Sequence, residues 1–260
     1  MKIARYFVSL LSTNLRASMA LRGAFWTRVI FMFFNNLIYL VMWWVFFDAF
    51  DEVRGWRLKD MLAIYAVGAG VFGLSVVLGG GVNYLARTIA QGDLDTHLTQ
   101  PKPPLLAAAA SRSEASGLGD LATAVLLFVL CGYVTPASLP FVLVAVLSGS
   151  VVFLATAVMF HSLAFWFRDT EALSRQFLHF VLVFAIYPKT VFSGWLKIML
   201  FTVVPAGFAT FLPVDVVRKA SGWYLLATIL GAVVYSALAW VVFRAGMRRY
   251  ESGNRFGVRV

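Results

Sequence analysis

One uninterrupted run restricts the folds that this chain can adopt. From Leu121 to Phe167 there are 47 consecutive residues without an Asp, Glu, Lys or Arg. A helix needs about 20 apolar residues to cross the hydrocarbon core of a bilayer, so this run is too long for one such helix and suits two. The sequence TPASLP at 135–140 predicts the turn between them. The run therefore predicts a hairpin of two membrane-spanning helices.

The composition of the whole chain agrees with a membrane protein. Of its 260 residues, 61% are hydrophobic and 13% are charged, whereas soluble domains are about half apolar and a quarter charged. The net charge of +10 is concentrated at the two ends: residues 1–28 contain five basic residues and no acidic one, and residues 244–260 contain five basic residues and one acidic one. Basic flanks indicate the cytoplasmic side and attract anionic lipid. We expect contact with membrane lipid and no nucleic-acid partner.

The sequence predicts an all-α integral membrane protein with a single transmembrane domain over residues 1–260. Six transmembrane helices are predicted at 25–47, 61–86, 117–134, 141–167, 172–187 and 220–243. With both termini in the cytoplasm, the inner segments contain 15 Lys and Arg residues and the outer segments contain 7. This bias follows the positive-inside rule and favours six spans over seven.

Three further segments have predicted roles in this arrangement. Residues 1–24 repeat apolar side chains at helical spacing, which predicts a helix lying in the membrane interface; the alternative is the frayed start of the first span. The second span is rich in glycine, which predicts close approach of another helix. Residues 188–214 contain prolines and lysines that a straight span cannot accommodate, so we predict re-entrant helices before the last span. The glycines are Gly68, Gly70, Gly73, Gly79, Gly80 and Gly81.

The sequence contains no pattern that indicates an enzyme. It has no phosphate-binding G-x-x-x-x-G-K-[ST] loop, and its three histidines lack metal-ligand spacing. Asp120 is expected near the inner membrane interface, and the notable polar groups within the spans are Asn35, Asn36, Asn83 and His161. Ion-coupled transporters usually bury carboxylates in the bilayer. We therefore expect no catalytic, cofactor or metal site, and an energy source outside this chain.

The polar segment Arg87 to Pro104 is the place where such a source could act. Gly92 predicts a break, and Asp93 is suited to cap a new helical turn. Leu94 and Leu98 are four residues apart and are predicted to share one face of that turn. Prolines at 101, 103 and 104 then end it and hold the chain extended. The pattern predicts a short helix that docks on another protein.

Two motifs resemble the membrane subunit of ABC exporters of the ABC-2 type, in particular a six-span bacterial branch. Gly92-Asp93-Leu94-Asp95 followed by Pro101 is similar to that branch's G-[ED]-L-D…P stretch between the second and third spans. A second set is similar to its proline-marked segment before the last span. This set comprises Tyr187-Pro188, Phe192, Trp195-Leu196, Val204-Pro205-Ala206 and Phe211-Leu212-Pro213. The resemblance covers essentially the whole chain, and Thr99-Gln100 departs from it where an apolar or basic pair is expected.

This resemblance implies a permease in the bacterial cytoplasmic membrane, working with a cytoplasmic ATPase dimer and a second permease, identical or related. ATP would be bound by the partner subunit, and this chain would be no enzyme. The coupling element between spans 2 and 3 would comprise Gly92, Asp93, Leu94, Asp95, Leu98 and Pro101. The outer re-entrant gate would comprise Pro188, Trp195, Pro205 and Pro213.

Two alternatives stay open on the sequence. One is a membrane enzyme acting on lipid, for which Arg112, Glu114 and Asp120 are the candidate groups. The other is a scaffold subunit that transports nothing, since an inert scaffold can also have glycine-rich spans. Co-purification of an ATPase separates both from a permease.

Overall fold

The computed structural model describes residues 2–100, 102–167 and 170–250, and within these ranges it contains helices and no strand. This confirms the all-α prediction. The helices are α1 (Lys2–Met19), α2 (Arg22–Ala49), α3 (Leu58–Gly79), α4 (Leu85–Ala90), α5 (Asp95–Leu98), α6 (Pro104–Ala109), α7 (Ser116–Cys131), α8 (Leu139–His161), α9 (Glu171–Ala185), α10 (Gly194–Thr202), α11 (Leu212–Lys219) and α12 (Gly222–Met247).

Four helical segments in the described part of the chain are long and apolar enough to cross a membrane. They are α2, the stretch Leu58–Ala90 that contains α3 and α4, the stretch Leu139–Phe165 that begins with α8, and α12. The pair Gly194–Thr202 and Gly207–Lys219, which is bent by 79°, adds a fifth if it is one broken span. With 16 and 15 residues, α7 and α9 are shorter than a full crossing. The chain is thus a multi-pass membrane protein, and the count of six spans stays a prediction.

Helix α3 is the centre of the bundle. In its most apolar window 67% of the residues are buried, compared with none in the corresponding window of α2. Its most extensive contacts are with α7 and α8; α2 then packs on α7, and α12 packs on α8. We call the end of the bundle that carries residues 87–104 the loop end, and the opposite end, which carries residues 188–219, the far end.

Glycine allows α3 and α7 to approach closely, as the sequence predicted. A Cβ added at Gly73 would lie 2.7 Å from the Cβ of Asp120 and from the carbonyl oxygen of Gly117. At Gly81 it would lie 2.0 Å from the carbonyl oxygen of Ala108. Gly68 is the exception, because a Cβ there would meet nothing within 4 Å. Added side chains would push against neighbouring backbone at Gly73, Gly80 and Gly81, and against side chains of α8 at Gly70 and Gly79.

A break at the loop end of α3 accommodates the next segment of chain. Residues Gly80–Tyr84 form a 3₁₀ turn between α3 and α4. The chain from α6 to α7 packs against this turn: the amide of Glu114 donates to the carbonyl of Val76 at 3.1 Å, and the Tyr84 hydroxyl donates to Glu114 Oε1 at 3.2 Å. After this packed stretch α7 begins at Ser116, and it ends at Cys131, earlier than the predicted residue 134, because Gly132 adopts a left-handed backbone.

Helix α1 is separate from α2, with a turn at residues 20–21 between them. The apolar side chains that recur at helical spacing are all half-buried: Tyr6, Phe7, Leu10, Leu11 and Leu15. Arg5 and Arg16 are exposed on other sides. The amphipathic helix predicted at the start of the chain is therefore present, shorter than the predicted 1–24, and its position in the membrane interface stays a prediction.

Substitution of Gly73 by Ala is expected to destabilise the protein by about 1–3 kcal/mol, because the added methyl group forces α3 and α7 apart. The matched control is Gly68→Ala on the same helix, where the methyl group enters open space. Unfolding by SDS titration, followed by tryptophan fluorescence, measures both. Equal stability of the two variants would contradict the proposed close contact.

Candidate functional site

The segment 87–104 folds as a compact element at the loop end. After α4, Gly92 adopts a left-handed backbone with φ +74°, which glycine reaches without strain. Leu94 occupies the N-cap position of α5, so the helical turn begins at Asp95, later than the predicted cap at Asp93 implies. Pro103 is extended and Pro104 opens α6. Pro101, the last residue predicted for the coupling element, lies outside the described residues.

The two leucines of this segment have different surroundings. Leu94 is fully buried and belongs to the hydrophobic core, whereas Leu98 is 39% exposed. Leu98 is thus an exposed apolar side chain of this segment, and its contact with a partner protein stays a prediction. Leu94 instead holds the segment to the bundle.

Helix α1 binds this segment through Tyr6, and binds the chain that follows it through Asn14. The Tyr6 hydroxyl donates to Gln100 Oε1 at 2.8 Å, and the Lys102 ammonium lies 5.1 Å from the centroid of the Tyr6 ring. Asn14 donates to the carbonyl of Ala110 at 2.7 Å. Gln100 is one of the two residues that depart from the family pattern, and here it joins the loop to α1.

The chain after α12 provides a third contact. Burial, together with the nearby Asp95 carboxylate, raises the pKa of Tyr250 to about 12. The Tyr250 ring also packs edge-on against Phe165, which contacts Phe243 of α12. The segment 87–104 is therefore attached to α1, to the core and to the end of α12, so that a force on its tip reaches all three.

At the far end, three of the four predicted gate residues are buried and one is not. Pro188, Pro205 and Pro213 are buried, whereas Trp195 is 74% exposed on α10. A π-helical turn at Gly207–Phe211 follows the bend between α10 and α11. The prolines thus shape the backbone of this segment, and Trp195 lies on its outer surface, apart from them.

One ion pair holds the far-end segment against α3, and another joins two parts of that segment. Arg218 donates to Asp60 Oδ1 at 2.8 Å and its guanidinium lies 4.1 Å from the centroid of the Trp56 ring. The Tyr133 hydroxyl donates to the same carboxylate at 2.5 Å, and burial together with Asp60 raises the pKa of Tyr133 to about 12. Lys189 pairs with Asp215, which is 1% exposed. We call these residues the far-end cluster.

A groove lies in the middle of the bundle between α2 and α9, above a floor formed by α3 and α7. Its volume is about 240 Å³. The residues that line it are Met32, Asn35, Asn36, Tyr39, Tyr65, Gly68, Ala69, Phe72, Asp120, Thr123, His179, Leu182, Val183 and Ile186. Most of the lining is apolar, with a few polar groups, which is the usual character of a small-molecule site.

Asp120 corrects one expectation from the sequence, that the spans contain no buried carboxylate. Its predicted position near the inner membrane interface stays a prediction. In the structure Asp120 is 3% exposed, and its Oδ1 accepts a hydrogen bond from Asn36, in the middle of α2, at 2.7 Å. Its identity as a carboxylate was visible in the sequence, but its partner lies 84 residues away and no local pattern marks that contact.

Of the three residues considered for a lipid-modifying enzyme, two share a partner and the third has a different one. The Arg112 guanidinium lies 4.2 Å from the centroid of the Tyr84 ring, and Glu114 bonds the hydroxyl of the same tyrosine. Asp120 bonds to Asn36 instead. His161 is fully buried at the end of α8. In the described part of the chain, no group of three or more His, Cys, Asp or Glu residues could hold a metal ion.

We expect Asp60→Asn to lower the free energy of unfolding by about 1–3 kcal/mol, because Arg218 loses its ionic partner within the far-end cluster. Glu52→Gln is the control, since the Glu52–Arg57 pair is exposed and such pairs contribute less than about 1 kcal/mol. Both are measured by SDS titration. A loss from Glu52→Gln as large as that from Asp60→Asn would refute the structural role of the cluster.

Comparison with known families finds one match. A family model described as "ABC-2 family transporter protein" matches residues 33–254, which include the segment 87–104, the groove and the far-end segment. A comparison with proteins of curated description finds no match.

Proposed function

Because the chain belongs to the ABC-2 transporter family, we propose that it is the permease subunit of an ATP-driven exporter. The main support for the proposal is the way in which the segment 87–104 is held. It is anchored to α1, to the core and to the end of α12, while Leu98 stays exposed. A loop fixed in this way transmits force, whereas a loop that only connects two helices needs no such anchors. Leu98 would contact a cytoplasmic ATPase.

In this proposal the chain binds no ATP itself. Two ATPase subunits would bind and hydrolyse it, and closure of their dimer would push on the segments 87–104 of two permeases, identical or related. The push would reach the bundle through Leu94, through Tyr6 and through Tyr250. At the far end the bent segment 188–214 would act as the outer gate, held closed by the far-end cluster.

The proposed location is the bacterial cytoplasmic membrane, with both termini and the loop end in the cytoplasm. The basic residues near the two ends of the chain support this orientation. The loop end would then face the ATPase, and the far end would face the outside.

Purification of the tagged full chain in mild detergent from its native host tests the partners. We expect an ATPase with a phosphate-binding loop to co-purify, and Leu98→Asp to reduce its recovery at least about tenfold, because the substitution puts a charge in an apolar contact. Asp51→Lys, a charge change in the exposed loop at the far end, is the control and should leave recovery unchanged. Recovery of no ATPase after crosslinking at the segment 87–104 would favour a scaffold.

Cysteine labelling tests the orientation. Thr96 at the loop end and Ala137 at the far end are both exposed, and the native Cys131 is buried and is replaced by Ser in both variants. A membrane-impermeant maleimide added to intact cells should label Ala137→Cys, and should label Thr96→Cys only after the cells are opened. The reverse pattern would overturn the orientation.

A further inference from the structure

The groove between α2 and α9 contains a buried carboxylate, Asp120, with a hydrogen-bond partner for only one of its two oxygens among the described residues. Asp120 Oδ1 accepts a hydrogen bond from Asn36, but Oδ2 has no hydrogen-bond partner. No Lys or Arg in the described part of the chain forms an ion pair with it. A carboxylate at this depth in a membrane protein is costly to bury and usually has a function. The site therefore favours a positive charge.

Asp120 also fixes the orientation of Asn36. A carboxylate only accepts hydrogen bonds, so the amide nitrogen of Asn36 must face it, and the same nitrogen lies 3.5 Å from Thr123 Oγ1. The Thr123 hydroxyl donates to the carbonyl of Gly119 and can thus only accept from Asn36. The carbonyl oxygen of Asn36 is left as an acceptor without a donor among the described residues, in a side chain that lines the groove.

The rest of the groove suits an apolar body. Its volume of about 240 Å³ exceeds that of an engineered cavity of about 150 Å³ that binds benzene. The Tyr39 and Tyr65 rings stack with centroids 5.5 Å apart, and aromatic faces attract cations. Gly68 in the floor adds no side chain, which keeps the space above α3 open.

The groove is accessible from the surface of the bundle. Tyr39 on α2 is 39% exposed, and His179 on α9 is also exposed. A molecule dissolved in the bilayer could enter between these two helices without crossing water. Entry of this kind suits an amphipathic molecule, with an apolar part that partitions into lipid and a polar group that partitions poorly.

We propose that this groove binds amphipathic molecules that carry a protonated amine, with the amine donating to the Asn36 carbonyl within the field of the Asp120 carboxylate. Asp120 acts here as a positioning and charge-selecting residue. The proposal rests on the permease function above and deepens it, because it assigns the chemical class of the cargo: an apolar amine, in preference to a neutral or anionic lipid.

Photolabelling with a pair of matched probes tests the proposal. 4-(Aminomethyl)benzophenone is protonated at neutral pH, and 4-(hydroxymethyl)benzophenone has nearly the same shape without the charge. The full chain is placed in nanodiscs of neutral phosphatidylcholine, which removes attraction of the amine to anionic lipid. Labelled peptides are identified by mass spectrometry, and Met32 in the groove wall is a favourable acceptor for the excited ketone.

In the wild-type chain we expect the amine to label the groove helices at least about tenfold more than the alcohol, the effect of about one charge-assisted hydrogen bond. Asp120→Asn should reduce labelling by the amine to the level of the alcohol. Gly68→Phe should reduce labelling by both probes, because the ring fills the floor of the groove. Gly222→Phe, where a side chain also meets open space but on α12, is the control and should change neither.

Equal labelling of the wild type by the two probes would overturn the proposal and leave Asp120–Asn36 as a structural hydrogen bond. Labelling that persists in Gly68→Phe would place the site elsewhere and would overturn it as well. If Asp120→Asn does not fold, comparison of the two probes in the wild type and in Gly68→Phe still shows whether the groove binds the amine in preference to the alcohol. The experiment needs neither ATPase nor transport. A positive result would therefore support the amine site even if the exporter function were refuted, and a negative result would refute the amine site without refuting the exporter function.

Discussion

The close approach of α3 and α7 is the contact on which the other features of the bundle depend. In a bilayer, apolar side chains gain little by leaving lipid for a protein interior, so helices associate through tight packing and hydrogen bonds. Gly73 and Gly117 remove the side chains that would separate the two backbones. This approach brings Asp120 against α3, on the side where Asn36 of α2 can reach it. The floor of the groove is a result of the same contact.

The loop end and the groove are joined through the same helix. Between them lies the 3₁₀ turn at 80–84, where glycines let the backbone of residues 108–114 pack directly on α3. A displacement of α5 would act on α4 and on this turn before it reached Gly68 and the groove floor. The far-end cluster lies at the opposite end of α3, through Asp60. Helix α3 thus borders the groove and the segment proposed as gate, and the 3₁₀ turn connects it to the segment proposed to receive force.

The sequence was sufficient for features set by local pattern. Uncharged runs predicted helices, the glycines of the second span predicted a close helix contact, and Gly92 predicted a break in the segment 87–104. These predictions succeed because the length of an apolar run and the backbone freedom of glycine depend only on residues that are adjacent in the sequence. Helix ends were less accurate: α7 begins at Ser116, one residue before its predicted start, but ends at Cys131 rather than at residue 134, where the left-handed backbone of Gly132 stops it.

The features that sequence reasoning missed all depend on pairs of residues far apart in the chain. Gln100 looked like a departure from a family pattern until its bond to Tyr6 gave it a role. Trp195 was grouped with three prolines that the structure buries, whereas Trp195 itself is exposed; the shared role as a gate stays a prediction. Asp120 is the clearest case, because a carboxylate one turn inside an apolar helix is equally consistent with an interfacial anchor and with a buried site. The surroundings of the carboxylate distinguish the two: beside solvent it is an anchor, and beside Asn36, in a groove lined by no Lys or Arg, it becomes a site that selects charge.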